Sequence, residues 1–327
     1  MKERPRPPFL VVGLNPTFQH TLVFDSIQTG EVNRATEAYE DIAGKGLNVA
    51  RVLTQLGEDV VHVSPLGGPG ERRFLDFCRT AGVAIRNVAG ARGIRTCTTV
   101  IDRGAGTVTE LVTPASPVEE GTEDALFAVV EQELERCGTV AIAGSRAPGF
   151  SETLPGRIVS AARRAGAFVL IDYRGEELHH TLRNTSGELP NIIKINLSEF
   201  GATFFHGGAA ALPEEIDTPE VIDKALRHAE ALVKRGVLPV ITRGSRPALA
   251  LTEDRLGEGG GFHRIPVLPL TPVNPIGSGD AFAAGLLHHL AGGSSLPDAI
   301  DGAHAVAAMN ASQIRPGTIR PEAARDD

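Results

Sequence analysis

A chain of 327 residues, 42% hydrophobic and 22% charged, is long enough to bury a large core and has no tract of low complexity. Its formal charge of -8, from 32 Lys and Arg against 40 Asp and Glu, carries no gathered basic stripe and argues against a nucleic-acid surface. Three cysteines, Cys78, Cys97 and Cys137, are odd in number and far apart, so neither a zinc site nor a disulfide framework is expected, and a reducing cytoplasm is the expected location.

After a basic lead-in, FLVVGL (9–14) reads as a first strand, too short for a signal segment or a membrane span. Residues 15–40 then interrupt the pattern. GLNVARVLTQLG places Val49, Leu53 and Leu56 on one helical face and stops at Gly57. The run 60–66 is again strand-like, and IRTCTTVIDRGAGTVTELV (94–112) predicts two strands joined by a glycine turn. From there strands at 139–144, 167–172, 191–196 and 238–243 alternate with helices at 122–136, 151–165 and 218–235, and helices follow at 280–291 and 296–312. This alternation predicts an α/β fold, a mainly parallel sheet with helices on both faces. The segments 15–40 and 94–112 are expected to pair into a small separate sheet, a lid over the carboxyl ends of the strands. GEGGGF (257–262) has no helix behind it and reads as a hairpin loop, and AARDD at the end as a solvated tail.

Two glycine-bracketed helix starts carry the chemistry. In NPIGSGDAFAAGLL, Gly277, Ser278 and Gly279 can turn their N–H groups onto one point that the following helix makes anion-binding. Asp280 beside it would repel a phosphate unless something protic lies between, and a hydroxyl losing its proton fits that gap; a helix cap after a glycine turn is the plainer reading. In AGKGLNVAR, Lys45 is the wrong charge for a helix N-terminus unless an anion is shared with it; otherwise it is an exposed lysine in a turn.

AGKGLNVARVL, AIAGSRAPG, IIKINLSEF and NPIGSGDAFAAGL, in this order and at these separations, resemble the motifs of the ribokinase-like (PfkB) carbohydrate kinases, most closely the branch with 1-phosphofructokinase and tagatose-6-phosphate kinase. The likeness spans about residues 10–320. It implies one ribokinase-like kinase domain over 1–327, ATP as phosphoryl donor, Mg²⁺, a small sugar or sugar phosphate as acceptor and no membrane; a homodimer through the lid is an expectation by analogy. It implies that Asp280 accepts the hydroxyl's proton, weakly because the helix dipole lowers its pKa, while Gly277, Ser278 and Gly279 hold the transferring group. Asn196 and Glu199 are implied near the triphosphate, Glu199 meeting Mg²⁺ through water. Thr242, Gly244, Ser245 and Asn310 are implied on the nucleotide side, with Asn310 lining the adenine pocket. Asn15, Gln19, Gly44, Lys45, Asn48, Arg95 and Cys97 are implied around the sugar, Arg95 gripping its phosphate and Cys97 as an inert thiol.

Three positions depart from the family pattern. Gln19 stands where relatives carry a sugar-binding acid, Ile195 replaces a proline, and Pro247 replaces a glycine of the nucleotide loop, removing an N–H. A kinase for an unphosphorylated sugar or polyol, and a sugar-phosphate-binding regulator with little turnover, remain alternatives. The pairs His179-His180 and His288-His289 are expected on the surface, their neighbouring rings pointing apart.

Overall fold

Leu10 and Val12 of the first strand face one apolar layer, and Phe9 and Val11 face another. A strand with no wet side belongs in a sheet covered on both faces. The computed structural model describes residues 8–183, 188–205, 217–257 and 260–320. In chain order it begins β1 (Phe9–Val12), β2 (Thr17–Phe24), β3 (Glu37–Ala43), α1 (Lys45–Gln55), β4 (Val60–Leu66), α2 (Glu71–Thr80), β5 (Ala84–Ala89), β6 (Arg95–Asp102) and β7 (Thr107–Val112). It continues α3 (Thr122–Leu134), β8 (Thr139–Ala143), α4 (Leu154–Arg164), β9 (Phe168–Asp172), α5 (Glu176–Leu182), β10 (Ile192–Asn196) and α6 (Leu197–Phe204). It ends α7 (Pro219–Val233), β11 (Leu238–Arg243), β12 (Arg246–Ala250), β13 (His263–Ile265), α8 (Ser278–Ala291) and α9 (Leu296–Ala311).

The main sheet runs β13-β12-β11-β10-β9-β8-β1-β4-β5, parallel except for β12 and β13, which close one edge as antiparallel strands. Side chains of α3, α4, α5, α6 and α7 cover one face, and those of α1, α2, α8 and α9 the other. A second sheet, β3-β2-β6-β7, contains the residues expected to form it, with β3 running on to Ala43 directly before α1. The order reverses at β1, which pairs with β8 on one side and β4 on the other, and such a reversal opens a crevice beyond the strand ends.

Every expected strand and long helix is present, while α2, α5, α6, β5, β12 and β13 were not expected. They are short or carry exposed polar residues, so their periodicity is weak. The described part of GEGGGF links the antiparallel β12 and β13, as a hairpin loop would; Glu258 and Gly259, the lead-in 1–7 and the AARDD tail lie outside the described residues. Among the described residues, no helix is long and apolar enough to cross a membrane.

Candidate active site

A cavity of about 110 Å³ lies where the strand order reverses. Gly13, Asn15 and Pro16 come from the end of β1, His62 and Ser64 from β4, Gly144 and Ser145 from the end of β8, Gly44 and Lys45 from the start of α1, and Arg95 from the small sheet. Asn15, Gly44, Lys45 and Arg95 are thus brought together as the sequence implied. Gly44 has φ 111°, a conformation open to glycine, and a Cβ there would approach the Asn15 carbonyl oxygen to 3.1 Å. Asn15 Nδ2 donates to Ser145 Oγ at 3.3 Å, and Arg95 Nε donates to Thr17 Oγ1 at 3.0 Å.

The anion loop, so called for the binding its sequence implies, leads directly into α8. Gly277, at φ 82°, ends the loop and starts α8, packed so closely on the segment after α9 that a Cβ would meet the Gly317 nitrogen at 2.8 Å. Asn274 Oδ1 accepts from the Ile276 N–H at 3.0 Å, and Asn310 Nδ2 donates to the Ile276 carbonyl at 3.0 Å and to Ser278 Oγ at 3.2 Å. Asp280 is buried in the first turn of α8, and Asn48 Nδ2 donates to its Oδ2 at 2.7 Å. Burial pushes the Asp280 carboxyl up to about 6, against the pull of Lys45. The expected lowering by the helix dipole is therefore corrected: desolvation outweighs it, and the acid is a better base near neutral pH than its position alone implied.

Behind the cavity Asp172, fully buried at the end of β9, accepts from Lys45 Nζ at 3.0 Å and from Lys194 Nζ at 2.8 Å. Burial opposes its charge, but the two ammonium groups more than offset that and hold its pKa below the usual range. Lys45 likewise loses by burial and gains more from Asp172, then Glu199 and Asp280, so it stays protonated. Its ammonium also lies 3.5 Å from Glu199 Oε1. Lys45 lines the cavity, yet its charge is turned toward the acids behind it.

Glu199 continues this cluster into the residues implied for the nucleotide. Asn196 and Glu199 form a capping box on α6, the Asn196 side chain accepting from the Glu199 N–H at 2.8 Å. Asn196 stands beside Thr242 in the β10–β11 register, and Gly244 and Ser245 turn the chain into β12. A Cβ on Gly279 would come within 3.0 Å of Lys194 Nζ, so the loop and this buried lysine are in contact.

Several residues sit elsewhere than implied. Gln19 is buried in β2 with Nε2 donating to Thr99 Oγ1 at 2.9 Å and to the His20 carbonyl at 3.0 Å, and it does not line the cavity. Cys97 is also outside the lining; burial raises its pKa, and its Sγ lies 3.5 Å from Thr17 Oγ1, in keeping with an inert thiol. Asn310 is fully buried with its amide spent on the anion loop and its oxygen accepting from the Gly317 N–H at 2.7 Å, so it supports the loop from behind. The histidine pairs are less exposed than expected: His179 Nε2 bonds the Thr203 carbonyl, His288 Nδ1 bonds Glu58 at 2.6 Å, and the His288 and His289 rings meet edge to face 5.1 Å apart. Among the described residues, no group of three or more His, Cys, Asp or Glu could hold a metal ion by itself.

Sequence reasoning missed His62, Ser64, Lys194, Asp172 and Asn274. A signal for the first two was present: VVHVSPL alternates His62 and Ser64 on one face of an otherwise apolar, fully buried strand.

The fold has close counterparts. The chain superposes on a candidate 1-phosphofructokinase of Thermotoga maritima with TM-score 0.81 at 22% identity, covering 94% of this chain and 92% of that one. Phosphofructokinase-2 of Escherichia coli, in its complex with fructose-6-phosphate, gives 0.74 at 22% identity over 94% and 93%, and ribokinase of Thermotoga maritima gives 0.68 at 16% over 96% of each. The family model for pfkB carbohydrate kinases matches residues 13–323, a span that holds the strand-reversal cavity, the two-lysine acid and the anion loop alike. With glycine-framed loop, buried acid and crevice all inside that match, the chain belongs to the pfkB family of carbohydrate kinases.

Proposed function

We propose that this kinase transfers the terminal phosphoryl group of Mg·ATP to a hydroxyl of an already phosphorylated ketohexose, of the fructose 1-phosphate or tagatose 6-phosphate type. The observation that carries the reading is Asp280: a buried carboxyl, raised to about 6 and oriented by Asn48, in the turn that follows the anion loop. Its free oxygen can take the acceptor hydroxyl's proton late in the transfer, while the N–H groups around Gly277, Ser278 and Gly279 bind the moving phosphoryl group.

The residues fit a magnesium nucleotide. Mg²⁺ is commonly held by one or two carboxylates plus phosphate oxygens, and Glu199 supplies such a carboxylate beside Asn196 and Thr242. Bound there, the metal would neutralise phosphate charge. Lys194 and Lys45, fixed by Asp172, add positive charge between the two substrate sides. Gly244 and Ser245 border the nucleotide, and Asn310 shapes its pocket by holding the loop.

On the acceptor side Arg95 lines the cavity and would grip a sugar phosphate, as Gly44 and Asn15 frame the ring; Asn48 lies outside that lining and acts through Asp280. The small sheet acts as a lid and, with the main sheet, forms one catalytic unit working in the cytoplasm. Val32, Leu111 and Val112 are 79%, 58% and 52% exposed, apolar surface that a second lid would cover in a homodimer. The complex of phosphofructokinase-2 with fructose-6-phosphate supports a phosphorylated acceptor. One observation favours a second reading, a kinase for an unphosphorylated sugar: with Lys45 engaged by Asp172, the cavity has fewer cations to offer.

The test is ADP release with Mg·ATP across free ketohexoses, polyols and their phosphates. Turnover confined to the phosphates supports the proposal, turnover of free sugars supports the second reading, and none at all contradicts both.

A further inference from the structure

The acceptor cavity holds an imidazole. His62 is buried in β4, and its Nδ1 lies 3.0 Å from the Val11 carbonyl oxygen. A carbonyl only accepts, so Nδ1 carries the proton and Nε2 bears the lone pair. Burial also pushes the imidazole down to about 4, against the raising effect of Val11, so it is neutral at physiological pH. Among the described residues, Nε2 has no hydrogen-bond partner. Two glycines frame the ring: a Cβ on Gly13 would lie 2.9 Å from His62 Cε1, and one on Gly46 would lie 3.2 Å from the same atom and 2.6 Å from the Gly13 Cα. Both glycines line the cavity with His62, and any side chain at either would cover it.

The charged groups around it are donors, and Asn15 and Ser145 in the same lining each hold an acceptor oxygen as well as a donor. Arg95 and Lys45 donate only, and Ser64 Oγ already donates to the Gly13 carbonyl at 2.9 Å. A phosphate matches the donors but offers nothing to a lone pair, whereas a sugar hydroxyl donates. The side chain at position 19 is meanwhile committed to Thr99 and the His20 carbonyl.

Resting on the sugar-kinase reading above, we propose that His62 is a specificity-determining residue whose Nε2 accepts a hydrogen bond from one hydroxyl of the bound sugar, in place of Gln19. A site built to meet a hydroxyl rejects the analogue that lacks it, because its own group is left unpaired.

The test is calorimetric binding, without ATP, of ketohexose phosphates and their monodeoxy analogues to the wild type, His62→Asn and His62→Gln. Gln places an amide near the Nε2 position and so keeps an acceptor in the cavity; Asn reaches only the Nδ1 position and retains the Val11 contact. For one analogue the wild type and His62→Gln should lose about tenfold or more in affinity against the parent sugar, while His62→Asn binds the two within about twofold. Wild-type discrimination in His62→Asn, or its loss in His62→Gln with retention in His62→Asn, overturns the proposal alone. Failure of every ketohexose phosphate to bind the folded wild type overturns it together with the sugar-phosphate reading.

Discussion

The amide of Asn48 donates to Oδ2 of Asp280 at 2.7 Å, across 232 residues of sequence, joining the first turn of α1 to the first turn of α8. The donor satisfies one carboxylate oxygen, and in the proposed reaction the other meets the substrate hydroxyl. Because the bond favours the charged acid, removing it raises the Asp280 pKa further. In Asn48→Ala the acidic limb of the kcat/KM profile should move up by about one unit, which by ionisation alone lowers kcat/KM by roughly twofold at pH 7. A variant with an unmoved limb would show that Asn48 does not tune this acid.

A carboxyl raised to about 6 also carries a stability signature. Its folded pKa exceeds its unfolded value of 3.8, so the folded state binds more protons between them and stability falls as pH rises through that window. Asp280→Asn removes the cost of charging the buried group. It should be more stable than the wild type by about 1–3 kcal/mol at pH 7 and show no such advantage below the unfolded pKa. Denaturant titrations at pH 7 and at acid pH check both the sign and the window.

Arg95 is anchored through Nε to Thr17 Oγ1 and lines the cavity. Arg95→Ala should lose roughly 1.5–3 kcal/mol of apparent affinity for a phosphorylated acceptor, one charge-assisted contact, with KM for ATP little changed. Steady-state kinetics on paired free and phosphorylated sugars decide it, and equal losses for both would remove the phosphate-reading role.

Most of the central strands, the two helix starts and the glycine turn before α8 were legible in the sequence because glycines, an acid and apolar periodicity mark them locally. What stayed hidden depends on which way a side chain turns and how deeply it lies. Gln19 follows the cavity-lining Pro16 and Cys97 the cavity-lining Arg95 along the chain, but their side chains pack within the small sheet. Lys45 was legible as a charge at a helix start, whereas Asp172, which turns it, belongs to another strand and has no local motif. The Asp280 pKa was read with the wrong sign because position in a helix turn shows the dipole and not the desolvation. Asn310 was placed on the correct helix, and only the packing of the 315–317 segment shows its amide facing the loop.

The central claim is that Asp280 accepts the proton of the phosphorylated hydroxyl. The direct measurement compares wild type and Asp280→Asn by kcat with the sugar identified in the ADP-release screen and by calorimetric Kd for Mg·ATP. The amide keeps the shape and the Asn48 contact but cannot take the proton, so kcat should fall by about 10² or more while the nucleotide Kd stays within about twofold. Wild-type kcat in Asp280→Asn, with the protein folded and nucleotide bound, would contradict the account.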